Sequence, residues 1–564
     1  MEVTIGETNT IYPSKPPFTE NHVLPLSHID TDRNLNFTFR YLRVYVNDDT
    51  TQQKPDPYEV LTSSLSAALV HYYQFAGSLR RRPSDNRLEL HCQVGNGVPV
   101  ILSTVDCSLA SINYLDDPDY NFAEKLVPDP RDEEALTRPL ILQLNRFKCG
   151  GWVFGTAVHH AMCDGMGSTL FFHAMAEIAR GENGMKIEPV WDRLNLLGPR
   201  NPPRVEFPVH EFLSLDRDSS PYLESGKPAV RECFEVKDEW LDRLKGFLHE
   251  QSGSNYTTFE ALGAFIWRAK ARASKISDDE TVKYAYLTNI RRRVKPPLPA
   301  GYWGNGCVPI YVQLLAKDLI NEPIWKAADA IKKSKDIITD EYVRSFIDFQ
   351  ELHYDEGITS GNRVSAFTDW RHVGHETVDF GWGGPVTVFP LSRHLVGSVE
   401  PCFFLPYSSA TQVIEDANKE IKHLELSIAI LNGKMKLKSR IQPVTADNEI
   451  KHLELLIASM NDKMKVLTAH RKVFQNLKHI VMTRGNFTPQ DVLTEEIKID
   501  DNDIDIDDNG DGEDGDDDED KKRGRRLHRM VSVLNKTRKL LRLTTSTQEV
   551  MVEHLKGEKK YNTS

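Results

Sequence analysis

Up to about residue 190 the apolar and polar positions switch between two periods. Residues 37–46 (FTFRYLRVYV) are rich in β-branched and aromatic side chains, as a strand is, whereas the apolar positions within 58–73 recur at the spacing of an amphipathic helix. Residues 140–147 (LILQLNRF) and 151–158 (GWVFGTAV) predict two more strands, and the Lys148-Cys149-Gly150-Gly151 connection predicts a hairpin between them. Helical spacing returns at 168–180. Residues 200–221 are rich in Pro and Asp and predict a crossover between two domains, 1–199 and 222–409. The second domain repeats the mixed character, with helices expected from Asp238, over 258–274 and over 323–347, and a strand over 281–288. Gly and Pro cluster at 296–306 and 381–385, the composition of ordered functional loops. The fold class expected is therefore α/β, in two halves of comparable size.

Beyond Ser409 the pattern changes. Residues 420–436 (EIKHLELSIAILNGKMK) recur as 449–465 (EIKHLELLIASMNDKMK) with 13 of 17 positions identical, which marks an internal duplication. Ile421, Leu424, Ile428, Leu431 and Met435 follow the alternating three- and four-residue spacing of a coiled-coil seam, as do Ile450, Leu453, Ile457, Met460 and Met464. Pro443 separates the copies. Two readings stand: a short helical hairpin packed on the body, or self-association through 420–467. This duplicated helical segment is assigned to 410–490 and a low-complexity tail to 491–564.

Charge sharpens that division. Asp500 to Asp520 carries 14 acidic residues and no Lys or Arg, so without it the net charge of -12 becomes about +2. The acidity belongs to the tail, and a near-neutral body argues against nucleic acid as a partner. Within the acidic run Asp505, Asp507, Asn509 and Gly510 match the start of an EF-hand loop, but position twelve is Asp516 rather than Glu. Residues 521–542 are basic, consistent with a nuclear-localisation signal at Lys521 to Arg526, an anionic-surface or calmodulin-type helix, or neutralisation of the acids before it. No apolar run reaches a membrane-spanning length and the first residues do not read as a secretory signal. Seven scattered cysteines without a CxxC pair read as reduced thiols, so the expected location is cytoplasmic, with the nucleus as the alternative. On that reading the Asn-x-Ser/Thr triplets at Asn36 and Asn255 carry no glycosylation signal.

Candidate chemistry concentrates in Val158-His159-His160-Ala161-Met162-Cys163-Asp164-Gly165-Met166-Gly167, directly after a predicted strand and before a predicted helix. An imidazole at a strand end, followed by a carboxylate four residues on and a Gly-rich turn, is presented as a general base must be. Strand alternation sends His159 to the opposite side, so one histidine of the pair faces a cleft. Metal binding and Cys163 as a nucleophile are the competing readings; the first lacks a third ligand nearby and the second any activating group.

His159-His160-Ala161-Met162-Cys163-Asp164-Gly165, together with Asp379-Phe380-Gly381-Trp382-Gly383, resembles the two signatures, HxxxD and DFGWG, of the BAHD superfamily of plant acyl-CoA-dependent acyltransferases. Tyr73 to Leu79 is similar to the family's YxxxAGRL segment, and Asn289 to Asn305 to the stretch ending in GYFGN. The resemblance runs to about residue 408 and implies two chloramphenicol-acetyltransferase-like domains flanking a solvent channel. It implies His160 as the general base that deprotonates a hydroxyl or amine attacking an acyl-CoA thioester. Asp164 would be structural, directed away from the channel and paired with Arg291. Trp370 N–H and the Thr368 hydroxyl would be oxyanion donors, and Asp379, Gly381, Trp382 and Gly383 would shape the domain arrangement and the CoA path. Acyl-CoA is then a co-substrate, with no bound cofactor and no metal.

The family's last strand and helix follow a segment like Cys402-Phe403-Phe404-Leu405-Pro406; here the duplication stands in their place. Donors implied are hydroxycinnamoyl, benzoyl or acetyl, and acceptors polyamines or alcohols, with Asp369 a hint of a cationic acceptor. HHxxxDG also occurs in peptide-synthetase condensation domains and carnitine-type acyltransferases, from which DFGWG separates this chain. The alternative function is a catalytically idle acyltransferase-like body serving as an interaction or nuclear scaffold through its tail.

Overall fold

Most of the strand-forming runs pair into two six-stranded sheets, seen in a computed structural model that describes residues 1–46, 55–207, 230–356, 364–398, 401–406 and 479–484, apart from positions 117, 183, 237, 275 and 393. In chain order the strands are β1 (Val3–Ile11), β2 (His22–Pro25), β3 (Thr38–Tyr45), β4 (Ser78–Arg81), β5 (Leu88–Cys92), β6 (Val98–Val105), β7 (Leu140–Phe147), β8 (Trp152–His159), β9 (Val230–Glu235), β10 (Thr281–Asn289), β11 (Cys307–Leu315), β12 (Val364–Asp369), β13 (Thr387–Pro390), β14 (Cys402–Phe404) and β15 (His479–Arg484). The first sheet has the order β1-β6-β7-β8-β3-β13, the second β11-β10-β12-β14-β15-β9, and β2-β5-β4 form a small third sheet. The hairpin expected at 148–151 is present, with β7 and β8 antiparallel. Every residue of β8 is buried, which explains why its sequence is a nearly continuous apolar run rather than an alternation.

Two expected helices differ from the structure. The one expected over 58–73 is Pro57–Ala68, begun by Asp56, whose side chain accepts from the Tyr58 N–H, and a separate 3-10 turn covers Tyr73–Ala76. The one expected over 323–347 is two helices, Ile324–Ser334 and Asp340–Leu352. The break is set by Thr339, whose hydroxyl accepts from the Tyr342 N–H at 3.2 Å, with Asp340 and Glu341 in the first turn beside the positive helix end. Apolar periodicity runs through that stretch and hides the cap.

The two domains expected as 1–199 and 222–409 exchange chain. β13, from the second stretch, pairs antiparallel with β3 and completes the first sheet. β15, expected within the segment after 409, lies between β14 and β9 and pairs antiparallel with both. The second sheet is therefore closed by a strand that follows the duplicated segment, and the boundary expected at 409 does not separate enzyme from tail. One compact unit comprises Met1–Glu415 and Val473–Glu495. The duplication at 420–436 and 449–465, the seam 420–467, the acidic run 500–520, the basic stretch 521–542 and most of the 200–221 crossover lie outside the described residues. Among the described residues no helix is long and apolar enough to cross a membrane.

Candidate active site

β8 delivers the catalytic candidate. Its last residue is His159, and His160 follows with its backbone N–H bonded to the Phe37 carbonyl at 2.9 Å. The side chains diverge: His160 lines a cavity of about 590 Å³, while His159 is buried outside that lining and its Nδ1 accepts from the Ala161 N–H at 3.3 Å. Burial, His160 and Arg81 push the His159 pKa down to about 3, so His159 is a neutral structural side chain. Burial also lowers the His160 pKa below its usual 6.5, which leaves the imidazole unprotonated, as a base must be.

Asn305 sets the tautomer. Its Nδ2 donates at 2.8 Å to both Asp30 Oδ1 and the His160 carbonyl, so the amide orientation is determined and its Oδ1 faces His160 Nδ1 at 3.1 Å. Nδ1 then carries the proton and donates, leaving Nε2 with the lone pair. Asp30 is itself anchored: Oδ1 meets Arg193 Nη1 at 3.0 Å with both side chains fully buried, and Oδ2 accepts from Ser27 N and Oγ. Arg193 in turn donates to the Met162 carbonyl and lies over the Trp191 and Trp303 rings.

Asp164 caps the helix Gly165–Ala179, accepting from the Gly167 N–H at 2.8 Å. It borders the cavity, yet both carboxylate oxygens are engaged by Arg291 at 2.8 Å each, and Oδ2 also accepts from the Gly306 N–H. Burial alone would raise its pKa; the Arg291 guanidinium and the two backbone donors overcome that and hold it at about 2. Such a carboxylate is a brace for the loops carrying His160 and Asn305. Gly167 lets those loops meet, because a Cβ there would lie 2.0 Å from the Trp303 carbonyl oxygen.

The opposite wall comes from the second sheet. Thr368 near the end of β12 and Trp370 just after it both line the cavity. Trp370 packs against Phe39, Phe403 and His375, with ring centroids 5.4, 5.6 and 4.8 Å away, and Phe39 in turn lies 5.8 Å from the His160 ring. Asp369 is not an open acidic group, since its two oxygens accept from Arg371 Nε and Nη2 at 2.8 and 2.6 Å. Burial pushes the Cys163 thiol far up, away from the thiolate that a nucleophile needs. No group of three His, Cys, Asp or Glu among the described residues is placed to hold a metal.

Asp379, Gly381, Trp382 and Gly383 lie outside the cavity lining. Asp379 Oδ1 accepts from the Gly381 and Gly383 N–H groups at 2.7 and 2.8 Å, closing a loop in which both glycines have positive φ, +105° and +90°. Trp382 packs edge-on against Trp152 at 5.0 Å, and the Asp379 carbonyl accepts from Arg180, so the loop clamps the segment that leads into β13. Sequence reasoning missed the roles of Asn305, Asp30 and Arg193. Asn305 was legible only as the end of a family-like segment, and no spacing along the chain links positions 30, 193 and 305.

The model of the Transferase family matches residues 1–418. The chain is 32% identical over 400 residues to a spermidine coumaroyl-CoA acyltransferase of Arabidopsis thaliana, covering 68% of this chain and 84% of that protein. It is also 32% identical over 404 residues to a benzyl alcohol O-benzoyltransferase of Nicotiana tabacum, covering 71% and 85%. Among solved structures, vinorine synthase matches with a TM-score of 0.56 at 20% identity over 72% of this chain and 92% of that one. F. sporotrichioides TRI101, complexed with coenzyme A and T-2, matches with a TM-score of 0.55 at 17% identity over 69% and 92%. Those two likenesses establish the fold, and the family match over most of the chain, with both signature segments inside it, establishes that this protein is a member of the BAHD transferase family.

Proposed function

We infer that the protein transfers an acyl group from an acyl-CoA thioester to the hydroxyl or amine of a small acceptor, with His160 as general base. The observation that carries this reading is the orientation of His160: Nδ1 is tied to Asn305, and the ring lines a cavity large enough for two substrates to meet. Nε2 takes the proton from the acceptor as its oxygen or nitrogen attacks the thioester carbonyl carbon. The C=O π pair moves to oxygen, and the tetrahedral intermediate expels the CoA thiolate, which receives the proton back from Nε2. No covalent acyl-enzyme is required. Trp370 N–H and the Thr368 hydroxyl are the donors proposed for the oxyanion, since both stand on the facing wall.

Three cations line the cavity besides the histidines. Arg371 is bound to Asp369 and Lys335 to Glu260, whereas Arg293 forms no ion pair among the described residues. Arg293 is therefore the residue proposed to meet a CoA phosphate. The relatives named for coumaroyl-CoA with spermidine, and for benzoyl transfer to benzyl alcohol, support an aromatic acyl donor and an amine or alcohol acceptor. With Asp369 neutralised by Arg371, the lining gives the alcohol the better case. The test is a panel of acetyl-, benzoyl- and p-coumaroyl-CoA against spermidine, benzyl alcohol and long-chain alcohols, with products read by mass spectrometry. Ester or amide formation that depends on His160 is expected; no product from any pair, or equal product from His160→Ala, would overturn the reading.

A further inference from the structure

His375 is a second buried histidine on the cavity wall. It is 2% exposed, lines the same cavity as His160, and lies between Trp370 and Tyr41, with ring centroids 4.8 and 5.1 Å away. Its Nδ1 is 3.0 Å from Arg43 Nη2 and 2.9 Å from Thr169 Oγ1. A guanidinium only donates, so Nδ1 is the acceptor and the proton of the neutral ring resides on Nε2.

That Nε2 is buried and has no hydrogen-bond partner, and among the described residues no other side chain lining this cavity has a buried, unpartnered polar atom. Other buried donors lack a partner too, Arg43 Nε and Nη1 and the Trp303 N–H among them, but among the described residues the His375 Nε2 is the one carried by a side chain of the cavity wall, where a bound molecule can supply the acceptor. Arg43 strengthens the donor. It is fully buried and forms no ion pair among the described residues, so its charge is met by the faces of Phe172 and Tyr41, at 4.3 and 4.9 Å, and by the imidazole. A cation hydrogen-bonded to Nδ1 polarises the ring toward Nε2. Gly165 and Val373 border this nitrogen: a Cβ at position 165 would lie 3.6 Å from Nε2 and 3.0 Å from Val373 Cγ1, so a larger residue there would crowd the donor.

We propose that His375 is a substrate-positioning residue whose Nε2–H donates a hydrogen bond to a carbonyl-type oxygen of the bound acyl-CoA, between Trp370 and Gly165. The assignment to acyl-CoA rather than the acceptor rests on the reading above, in which Trp370 faces the thioester oxygen; a group beside Trp370 is then within a few bonds of the thioester. Two oxygens of this class are present on the donor, an amide of the CoA arm and the carbonyl of the acyl thioester.

Calorimetric titration of the full chain with CoA, acetyl-CoA and benzoyl-CoA, beside steady-state kinetics, separates them. His375→Phe keeps an aromatic ring against Trp370 and removes the donor, and is expected to weaken acyl-CoA binding about three- to tenfold while leaving the acceptor KM within twofold. Parallel loss for free CoA places the oxygen on the arm; loss confined to the acyl-CoAs places it on the thioester. Should His375→Phe not fold, His375→Gln and His375→Met, alike in length but with and without a donor, decide the matter, with Gln the tighter binder. Acyl-CoA affinity unchanged within twofold, or a rise in acceptor KM alone, would overturn the proposal. Wild-type protein that binds no acyl-CoA would overturn the acyltransferase reading itself, a result distinct from wild-type binding that the substitutions leave intact.

Discussion

At the residue scale the site is two buried polar chains that meet at the cavity. Arg193, Asp30 and Asn305 determine which nitrogen of His160 is basic, and Arg291 with two backbone donors holds Asp164 as a brace. His160→Ala is expected to lower kcat/KM by roughly 10²- to 10⁴-fold in a protein that still folds, and His159→Ala to do far less, because only the first ring reaches the cavity. Equal losses in the two variants would misassign the base. The acid limb of the kcat/KM profile should lie below pH 6.5, since burial lowers the His160 pKa and the base form persists to lower pH. Asp164→Asn should instead destabilise the protein, on the order of 3 to 5 kcal/mol for breaking a buried pair. Its carboxyl sits at about 2 against an ordinary 3.8, so the pair stabilises the fold above about pH 4 and that contribution fades as pH falls toward 2. Denaturant unfolding of wild type and variant should therefore converge over that interval.

At the scale of elements, the loop after Asp379 acts on architecture. It turns on two left-handed glycines and one carboxylate, and releases the chain into β13, which pairs with β3 in the first sheet. Gly383→Ala should cost about 1 to 2 kcal/mol, the penalty of a side chain in left-handed backbone, with little change in KM for either substrate. A selective loss of turnover in a fully stable Gly383→Ala protein would show that the loop contributes to the chemistry. The helix break at 335–339 belongs to this scale too. Thr339 is a readable cap, yet the apolar spacing on both sides favours one long helix, and the bond its hydroxyl accepts from the Tyr342 N–H starts a second one.

For the whole molecule, β15 carries the main consequence. It sits between β14 and β9, so removing everything after Ser409 takes out an interior strand and leaves β9 without a neighbour. Truncation after Ser409 is expected to give insoluble protein. Truncation after Glu495 retains both stretches of the compact unit and should keep kcat/KM within a few-fold. Soluble yield and turnover of the two truncations check this, and a well-folded, active 1–409 protein would show that β15 is dispensable.

How much of this was legible beforehand follows from the range of the interactions. Strands β7 and β8, their hairpin, the helix after Asp164 and the base candidate at the end of β8 are local events, written in composition and in spacing over ten or so residues, and the two signature segments carried the family. The exchange of β13, the return of β15, the commitment of Asp369 to Arg371, the tautomer of His160 and the open donor on His375 were decided by tertiary structure alone. Each depends on residues tens to hundreds of positions apart or on the direction in which a side chain leaves the backbone, and buried hydrogen bonds and strand pairing leave no periodic trace by which a linear sequence could announce them.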